Sequence, residues 1–177
     1  MDYVYHYASP LGGITLNSDG RALTGLMFDD EKYFEETINT QGADTGLPAF
    51  AETARWLDIY FSGKDPGFLP PISLHTTAFR QEICEIMLTI PYGKTMTYGE
   101  IARLIAQNRS MERMSAQAVG GAVGHNPISL IIPCHRVIGS NGSLTGYGGG
   151  IDKKVKLLEL EGADMTGLFV PSKGTAL

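Results

Sequence analysis

Residues 131–138 read IIPCHRVI, which sets a thiol beside an imidazole and a guanidinium directly after an apolar run. A thiolate is a far better nucleophile than a thiol, so a neighbouring base or cation decides how reactive a cysteine is. Pro133 has no backbone N–H to donate and therefore ends or borders the strand predicted over residues 128–132. The pattern predicts that Cys134 lies where regular structure stops and a pocket can open.

The same stretch has a plainer interpretation, in which Cys134 is a core side chain that happens to precede a surface His-Arg pair. Free cysteine is among the most buried residue types, so this alternative stays open for an isolated Cys-His dipeptide. The other cysteine, Cys84, follows Ile83 on a predicted amphipathic helix, with no base or cation on its face. We interpret Cys84 as structural.

Composition limits the class of protein. The 177 residues and 43% hydrophobic content suit one or two small domains with a real core. Two cysteines without a secretion signal predict no disulfide framework and a reducing, cytoplasmic setting. No apolar run approaches the roughly 20 residues that span a bilayer, so no membrane partner is expected.

Charge is unevenly distributed along the chain. The net charge of −5 argues against a nucleic-acid partner, yet acidic side chains are concentrated in residues 1–75. Residues 76–150 carry more basic than acidic side chains, and they could present a cationic face to a polyanion. Its candidate members are Arg103, Arg109, Arg113 and Arg136. Ordinary scatter of surface charge is the open alternative.

Residues 1–75 are predicted to form a small α/β domain without a chemical signature. Alternating side chains and turn residues predict three antiparallel strands within residues 3–28. Helices are predicted over about 30–38 and 49–61, with a loop over 39–48. We interpret this part of the chain as a scaffold.

From about residue 76 the pattern becomes helical. Thr77, Thr97 and Ser115 are each predicted to cap a helix, and Glu100 completes a capping box with Thr97. The last two of these helices are short and separated by a polar loop over residues 107–113. Two short helices joined in this way are typical of a helix-turn-helix unit.

Glycines mark two further features. Gly120, Gly121 and Gly124 each cost about 1 kcal/mol relative to alanine inside a helix, so another backbone is expected to approach, either a neighbouring helix or a nucleic acid. The glycine-rich loop over residues 146–150 exposes backbone amides that can donate to a ligand oxygen. Asp152 is predicted to cap a last helix, and Gly162 follows its end.

Taken together, these stretches resemble the O6-alkylguanine-DNA alkyltransferases, also called methylated-DNA–protein-cysteine methyltransferases. PCHRV at 133–137 is similar to the active-site signature of that family, and six further blocks follow its order. They are IPYG at 90–93, TYGEIA at 97–102, AVGGA at 118–122, NP at 126–127, YGG at 147–149 and LEG at 160–162.

The resemblance implies an α/β fold of two domains. Residues 1–75, similar to the family only in size and strand content, would form a small N-terminal α/β domain of antiparallel sheet plus helix, ribonuclease H-like. Residues 76–165, where the similarity is strong, would form a mainly helical C-terminal domain with a winged helix-turn-helix-like unit. Residues 166–177 would be a tail, poorly ordered at its end.

The resemblance also implies direct, stoichiometric transfer of a methyl or other alkyl group from O6 of guanine to Cys134. The thioether product is not reversed, so the enzyme is self-inactivating. His135 would be the base, acting through a water, and Glu161 would orient it. Tyr98 would donate a proton to the departing guanine, and Asn126 would brace the turn next to the cysteine. Preference for larger alkyl groups and action on O4 of thymine are left open.

The implied partner is double-stranded DNA containing O6-alkylguanine, with the target base flipped out of the duplex. Ala118 and Gly121 would permit close approach to the DNA backbone. Gln117 stands where most members carry an arginine, and so lacks the charge that fills the gap left by the base. Backbone amides near Tyr147 and Gly148 would hold O6.

Arg136 is grouped with the substrate- and DNA-binding residues, in a supporting role. A monomer without cofactor is expected, and no zinc site, because no cysteine precedes Cys84. Two other classes remain. An alkyltransferase-like protein binds lesions without reacting, but those relatives lack the cysteine. An unrelated cysteine hydrolase would leave Tyr98 and the glycine blocks unexplained.

Overall fold

The computed structural model describes residues 2–172, and the chain divides into two compact units. One unit contains the chain up to His75, and the segment Pro127–Ile131 also belongs to it. The other unit contains Thr76–Asn126 and the chain from Ile132 onward. The mixed α/β fold, with a sheet in the first unit and mainly helices in the second, is confirmed.

The first unit is built on a four-stranded sheet with the order β3-β2-β1-β4. Its strands are β1 (Tyr3–Ser9), β2 (Gly12–Ser18), β3 (Leu23–Phe28) and β4 (Ala43–Asp44). The predicted antiparallel pairing of the first three strands is confirmed. The short strand β4 pairs parallel with β1 inside the stretch predicted as loop, because two residues are too few to show an alternating pattern.

Two helices accompany this sheet. α1 (Phe34–Thr37) is shorter than the predicted helix, whereas α2 (Pro48–Phe61) matches its prediction closely and begins on a proline, which suits a first helical position. Trp56 and Tyr60, one turn apart on α2, stack with ring centroids 5.1 Å apart. Their burial confirms that this helix belongs to the core.

The apolar run before the cysteine is not a strand, so the prediction of a strand over residues 128–132 is wrong. Only Ile128 forms a bridge, with Leu26, and the Ser129 N–H then donates to the Leu26 carbonyl at 2.8 Å. Leu130 follows with φ of 69°, in the left-handed region that breaks an extended chain. The run is apolar because its side chains are buried in a turn, and burial alone mimics a strand pattern.

Over the residues that the structure describes, the second unit has four α-helices, α3 (Ala78–Leu88), α4 (Tyr98–Asn108), α5 (Ala116–Gly124) and α6 (Ile151–Leu160). All three predicted caps are confirmed, since Thr77 and Ser115 accept backbone N–H groups and Thr97 forms a full capping box with Glu100. Asp152 does not cap α6. The N-cap residue is Gly150, and Asp152 lies exposed in the first turn.

Two short strands of this unit, β5 (Met96–Thr97) and β6 (Val137–Ile138), pair in parallel. Within the tail, the Phe169 N–H donates to the Gly142 carbonyl at 3.1 Å. The predicted disorder at the very end of the tail concerns residues outside 2–172. Within residues 2–172, no helix combines the length and the apolar content that crossing a bilayer requires.

Candidate active site

Cys134 is the first residue of a 3-10 helical turn, Cys134–Arg136, between Pro133 and β6. Its N–H donates to the Ile132 carbonyl at 2.8 Å, and its side chain is in no disulfide. Asn126 is buried, and its Nδ2 donates to the same Ile132 carbonyl at 2.7 Å. The amide of Asn126 therefore braces the backbone immediately before the cysteine.

Glu161 lies at the C-terminal end of α6, and its carboxylate accepts hydrogen bonds from three residues. His135 Nε2 lies 2.6 Å from its Oε1, Arg136 Nε donates to its Oε2 at 2.9 Å, and Arg136 Nη2 donates to Oε1 at 3.0 Å. The Gly93 N–H completes the set at 3.0 Å from Oε2. A buried carboxylate is tolerated when its lone pairs are satisfied in this way.

The pKa values of this cluster fix its protonation. Burial alone would raise the pKa of Glu161, but the hydrogen bonds and charges of His135 and Arg136 outweigh it and lower that pKa to about 2. Burial lowers the pKa of His135, although Glu161 opposes the effect. The imidazole is therefore neutral, with Nε2–H donating to Glu161, and Nδ1 is the nitrogen that can act as a base.

Tyr98 opens α4, and its hydroxyl points to the glycine-rich loop. The oxygen lies 3.3 Å from the Thr145 carbonyl and 3.5 Å from that of Gly146. Burial, together with the charge of an ionised Cys134, raises the pKa of Tyr98 well above its usual range. Tyr98 is thus a protonated donor at any physiological pH.

The loop that carries the predicted O6-binding amides lies in the same unit. The Tyr147 ring is buried, with its centroid 6.5 Å from that of His135 in an edge-to-face arrangement. Gly148 is half-buried. A Cβ on Gly149 would approach the Tyr147 ring to 2.7 Å, which explains why a residue without a side chain follows there.

Lys154 is a residue that the sequence analysis missed. It lies on α6 with no exposed surface, and its Nζ donates to the carbonyls of Val137 and Thr145. Burial lowers its pKa to about 8, and an ionised Cys134 acts in the opposite direction. A signal was present in the sequence, because Lys154 precedes Leu157 and Leu158 by three and four residues, on the apolar face of the helix.

The helix α5 has an exposed face of small and polar side chains. Gln117 and Ala118 are exposed, and a Cβ placed on Gly121 or Gly124 would meet nothing within 4 Å. No neighbour in residues 2–172 therefore requires glycine at those two positions. The sequence offered two explanations for these glycines, a neighbouring helix or a nucleic-acid backbone. At Gly121 and Gly124 no helix among the described residues comes close, so there is room for an external backbone.

The predicted cationic face is smaller than expected. Arg103 and Arg113 are exposed, and Arg109 is exposed but forms an ion pair with Glu82 at 2.8 Å. Arg136 does not belong to this face, because its guanidinium is buried against Glu161 and donates to the Ile90 carbonyl at 2.7 Å. Its supporting role is structural.

Among residues 2–172, no group of three or more His, Cys, Asp or Glu side chains is arranged to hold a metal ion.

Comparison with known proteins adds independent findings. A family profile described as "6-O-methylguanine DNA methyltransferase, DNA binding domain" matches residues 78–163, and one described as the ribonuclease-like domain of the same proteins matches residues 3–74.

Relatives of known name and solved structures of the same family also match this chain. A Mycobacterium tuberculosis H37Rv protein named methylated-DNA–protein-cysteine methyltransferase is 46% identical over 153 residues, covering 86% of this chain and 88% of its own. A Haemophilus influenzae protein of that name is 39% identical over 90% of this chain and 86% of its own. The crystal structure of Mycobacterium tuberculosis OGT in complex with DNA matches with a TM-score of 0.77 at 43% identity, covering 90% of this chain and 92% of that one.

Proposed function

The chain belongs to the 6-O-methylguanine DNA methyltransferase family, and we propose that Cys134 is the residue that accepts the alkyl group. The protein repairs alkylated DNA by transferring the alkyl group to one of its own cysteines. In that step a carbon–sulfur bond forms while the bond between the alkyl carbon and O6 of guanine breaks. The observation that carries the assignment is the buried His135–Glu161 pair beside Cys134.

His135 is the base that prepares the thiol. Because Glu161 holds Nε2, the thiol proton is taken at Nδ1, through a water as the family resemblance implies. The imidazolium that forms is stabilised by the Glu161 carboxylate, which stays ionised because its pKa is about 2. Arg136 and the Gly93 amide hold that carboxylate in place, so it orients the ring without moving.

Tyr98 is the donor to the departing guanine. Negative charge develops on the purine ring as the bond to the alkyl group breaks, and a proton donor nearby lowers the barrier. The raised pKa of Tyr98 keeps its hydroxyl protonated for this task. Its present bond to the Thr145 carbonyl would be exchanged for a bond to the base. The backbone amides of Tyr147 and Gly148 are the proposed donors to O6.

DNA is the partner, and O6-alkylguanine in a duplex is the proposed target. The exposed face of α5, with Gln117, Ala118 and Gly121, is the proposed contact with the DNA backbone, because no atom of the described residues outside α5 lies within 4 Å of a Cβ placed on Gly121. The reacting atom is shielded in a stacked duplex, so the base must be flipped out. The proposed acceptor, base and orienting carboxylate come from one chain, which supports a monomer. A reduced thiol is required, which supports a cytoplasmic setting.

The decisive experiment mixes the protein with a duplex that contains one O6-methylguanine and follows the intact mass. One methyl group per protein is expected, and peptide mapping should place it on Cys134. The matched controls are an undamaged duplex and the Cys134→Ala variant, neither of which should give a mass increase.

Two outcomes would support another class of protein. Tight binding to the lesion without any mass increase would indicate an alkyltransferase-like binding protein. Repeated turnover of an activated ester, with no methyl acquired from DNA, would indicate a cysteine hydrolase. Methylation at another residue with equal occupancy would overturn the assignment of Cys134.

A further inference from the structure

The ammonium of Lys154, in the second unit, has no exposed surface. Burying a lysine disfavours its charged form unless specific partners compensate for the lost water. Here the Nζ donates to two backbone carbonyls, those of Val137 and Thr145. Burying a charged lysine costs free energy of folding, so both its contacts and its charge require an explanation.

The two carbonyls belong to the two segments that form the candidate site. Val137 starts β6, directly after the 3-10 turn that holds Cys134. Thr145 directly precedes the glycine-rich loop over residues 146–150, and its carbonyl also accepts a hydrogen bond from the Tyr98 hydroxyl at 3.3 Å. The ammonium therefore connects the cysteine turn to the loop, and it shares an acceptor with the proposed proton donor.

The charge of Lys154 also acts on the cysteine. Carbonyl oxygens satisfy the N–H donors of an ammonium but do not neutralise it. An ionised Cys134 favours the protonated form of Lys154, and by the same interaction the ammonium favours the thiolate. Because both side chains are buried, solvent screens this interaction less than it would at the surface.

We propose that Lys154 is a positioning residue for alkyl transfer, whose ammonium holds the cysteine turn against the glycine-rich loop and stabilises the Cys134 thiolate. The inference rests on the proposed role of Cys134 as acceptor. The thiol proton passes to His135, the sulfur then forms its bond to the alkyl carbon, and guanine leaves with the electron pair of the broken bond. Lys154 stays protonated throughout and exchanges no atom.

Two of the titratable side chains in this part of the second unit, Tyr98 and Lys154, interact electrostatically with an ionised Cys134, and the others form the buried cluster of His135. The side chains concerned are Tyr98 from α4, His135 and Arg136 from the 3-10 turn, and Lys154 and Glu161 from α6. The variants tested change Lys154 or, as a control, Lys156, so all of these other side chains are present in every protein that is compared.

The test measures how fast iodoacetamide alkylates Cys134 as a function of pH, by intact mass and peptide mapping. Lys154→Met removes the charge and the donors, Lys154→Gln removes the charge but keeps a donor, and Lys154→Arg keeps the charge. Lys156→Met is the matched control, because Lys156 is an exposed lysine on the same helix. Methyl transfer from an O6-methylguanine duplex is measured in parallel, and thermal unfolding checks that each variant is folded.

We expect the Met and Gln variants to shift the midpoint of the Cys134 profile upward by about one pH unit, and to slow transfer about tenfold at neutral pH. Lys154→Arg should keep the wild-type midpoint, and Lys156→Met should behave as wild type in both assays. A purely structural role would lower the rate at every pH without moving the midpoint, and an unmoved midpoint in folded Lys154→Gln overturns the proposal. If wild-type Cys134 acquires no methyl group from DNA, the proposed function fails instead, whatever the iodoacetamide profiles show.

Discussion

The two cysteines have the same side chain and similar burial, with 1% of Cys84 and 6% of Cys134 exposed, yet their surroundings differ. Cys84 lies on the apolar face of α3, where burial and the charge of Glu85 raise its pKa to about 11. Cys134 lies in a turn of the second unit, near a neutral imidazole and a buried ammonium. Because burial is similar, we expect the charges buried near each cysteine to decide its role.

The strongest test of this comparison exchanges each cysteine for alanine. Cys134→Ala should abolish methyl transfer from an O6-methylguanine duplex, because it removes the proposed acceptor sulfur. Cys84→Ala should transfer a full equivalent at the wild-type rate and lose only stability, through a small cavity in the core. Intact-mass measurement over time separates the two variants. Transfer by Cys134→Ala, at any stoichiometry, would remove the distinction between the two sites.

The next largest effect is expected from Glu161→Gln. The amide keeps the volume but leaves the buried Arg136 without its counter-charge, and it no longer favours the imidazolium of His135. We expect transfer to slow about 100-fold and the free energy of unfolding to fall by about 3 kcal/mol. Single-turnover kinetics and urea unfolding measure the two quantities. Glu159→Gln, an exposed carboxylate on the same helix, should change neither.

The buried cluster also predicts how stability depends on pH. The folded-state pKa of Glu161 is depressed from 4.5 to about 2, so its contribution is complete above pH 4.5 and is lost as the pH falls toward 2. The difference corresponds to about 3 kcal/mol. His135 acts in the same direction from pH 6.5 downward, because its folded-state pKa is lowered by burial.

Urea unfolding of the wild type and of Glu161→Gln between pH 7 and pH 2.5 tests this dependence. The stability difference between the two proteins should shrink steadily below pH 4.5. A constant difference over this range would mean that the pKa of Glu161 is the same in the folded and the unfolded protein, so that folding does not favour its ionised form. The residues around Cys84 should contribute no loss of stability at acidic pH. The free energy of unfolding of Cys84→Ala should therefore fall with pH in parallel with that of the wild type.

A smaller effect is expected from Tyr98→Phe, which removes the hydroxyl and keeps the ring. Loss of the proposed proton donor should slow methyl transfer about 10- to 100-fold. Alkylation of Cys134 by iodoacetamide should stay close to wild type, because that reaction needs no proton on a purine. If both reactions slowed equally, Tyr98 would act on the thiol rather than on the leaving group.

The smallest effect is expected on DNA affinity. Gln117→Arg adds a cation to the exposed face of α5, so binding to an undamaged duplex should become tighter and its logarithmic salt dependence steeper by about one. Fluorescence anisotropy at several salt concentrations measures both quantities. The iodoacetamide reactivity of both cysteines should be unchanged, since that reaction involves no DNA. An unaltered salt dependence would indicate that position 117 does not reach a phosphate.

Local signals predicted much of the fold. The strands of the first unit follow from alternating side chains and turns, and the helix starts at Thr77, Thr97 and Ser115 follow from capping, because each depends on residues only a few positions apart. The run over residues 128–132 was misread, because burial in a turn and burial in a strand leave the same apolar composition. The left-handed conformation of Leu130 has no signature in its residue type.

For the site, the sequence by itself determined which chemistry was present. Neighbouring residues are enough to recognise three features: a cysteine followed by a histidine, Tyr98 at the start of a capped helix, and a glycine-rich loop. Only the tertiary structure decided which groups meet. Glu161 forms a hydrogen bond with His135, 26 positions away in the sequence. Arg136, a candidate DNA contact, is instead a buried partner of the same carboxylate. Lys154 is buried, and its ammonium donates to two backbone carbonyls. The physical reason is that the effect of a charge depends on its distance and on the water it has lost, and both are set by the packing of segments distant in sequence.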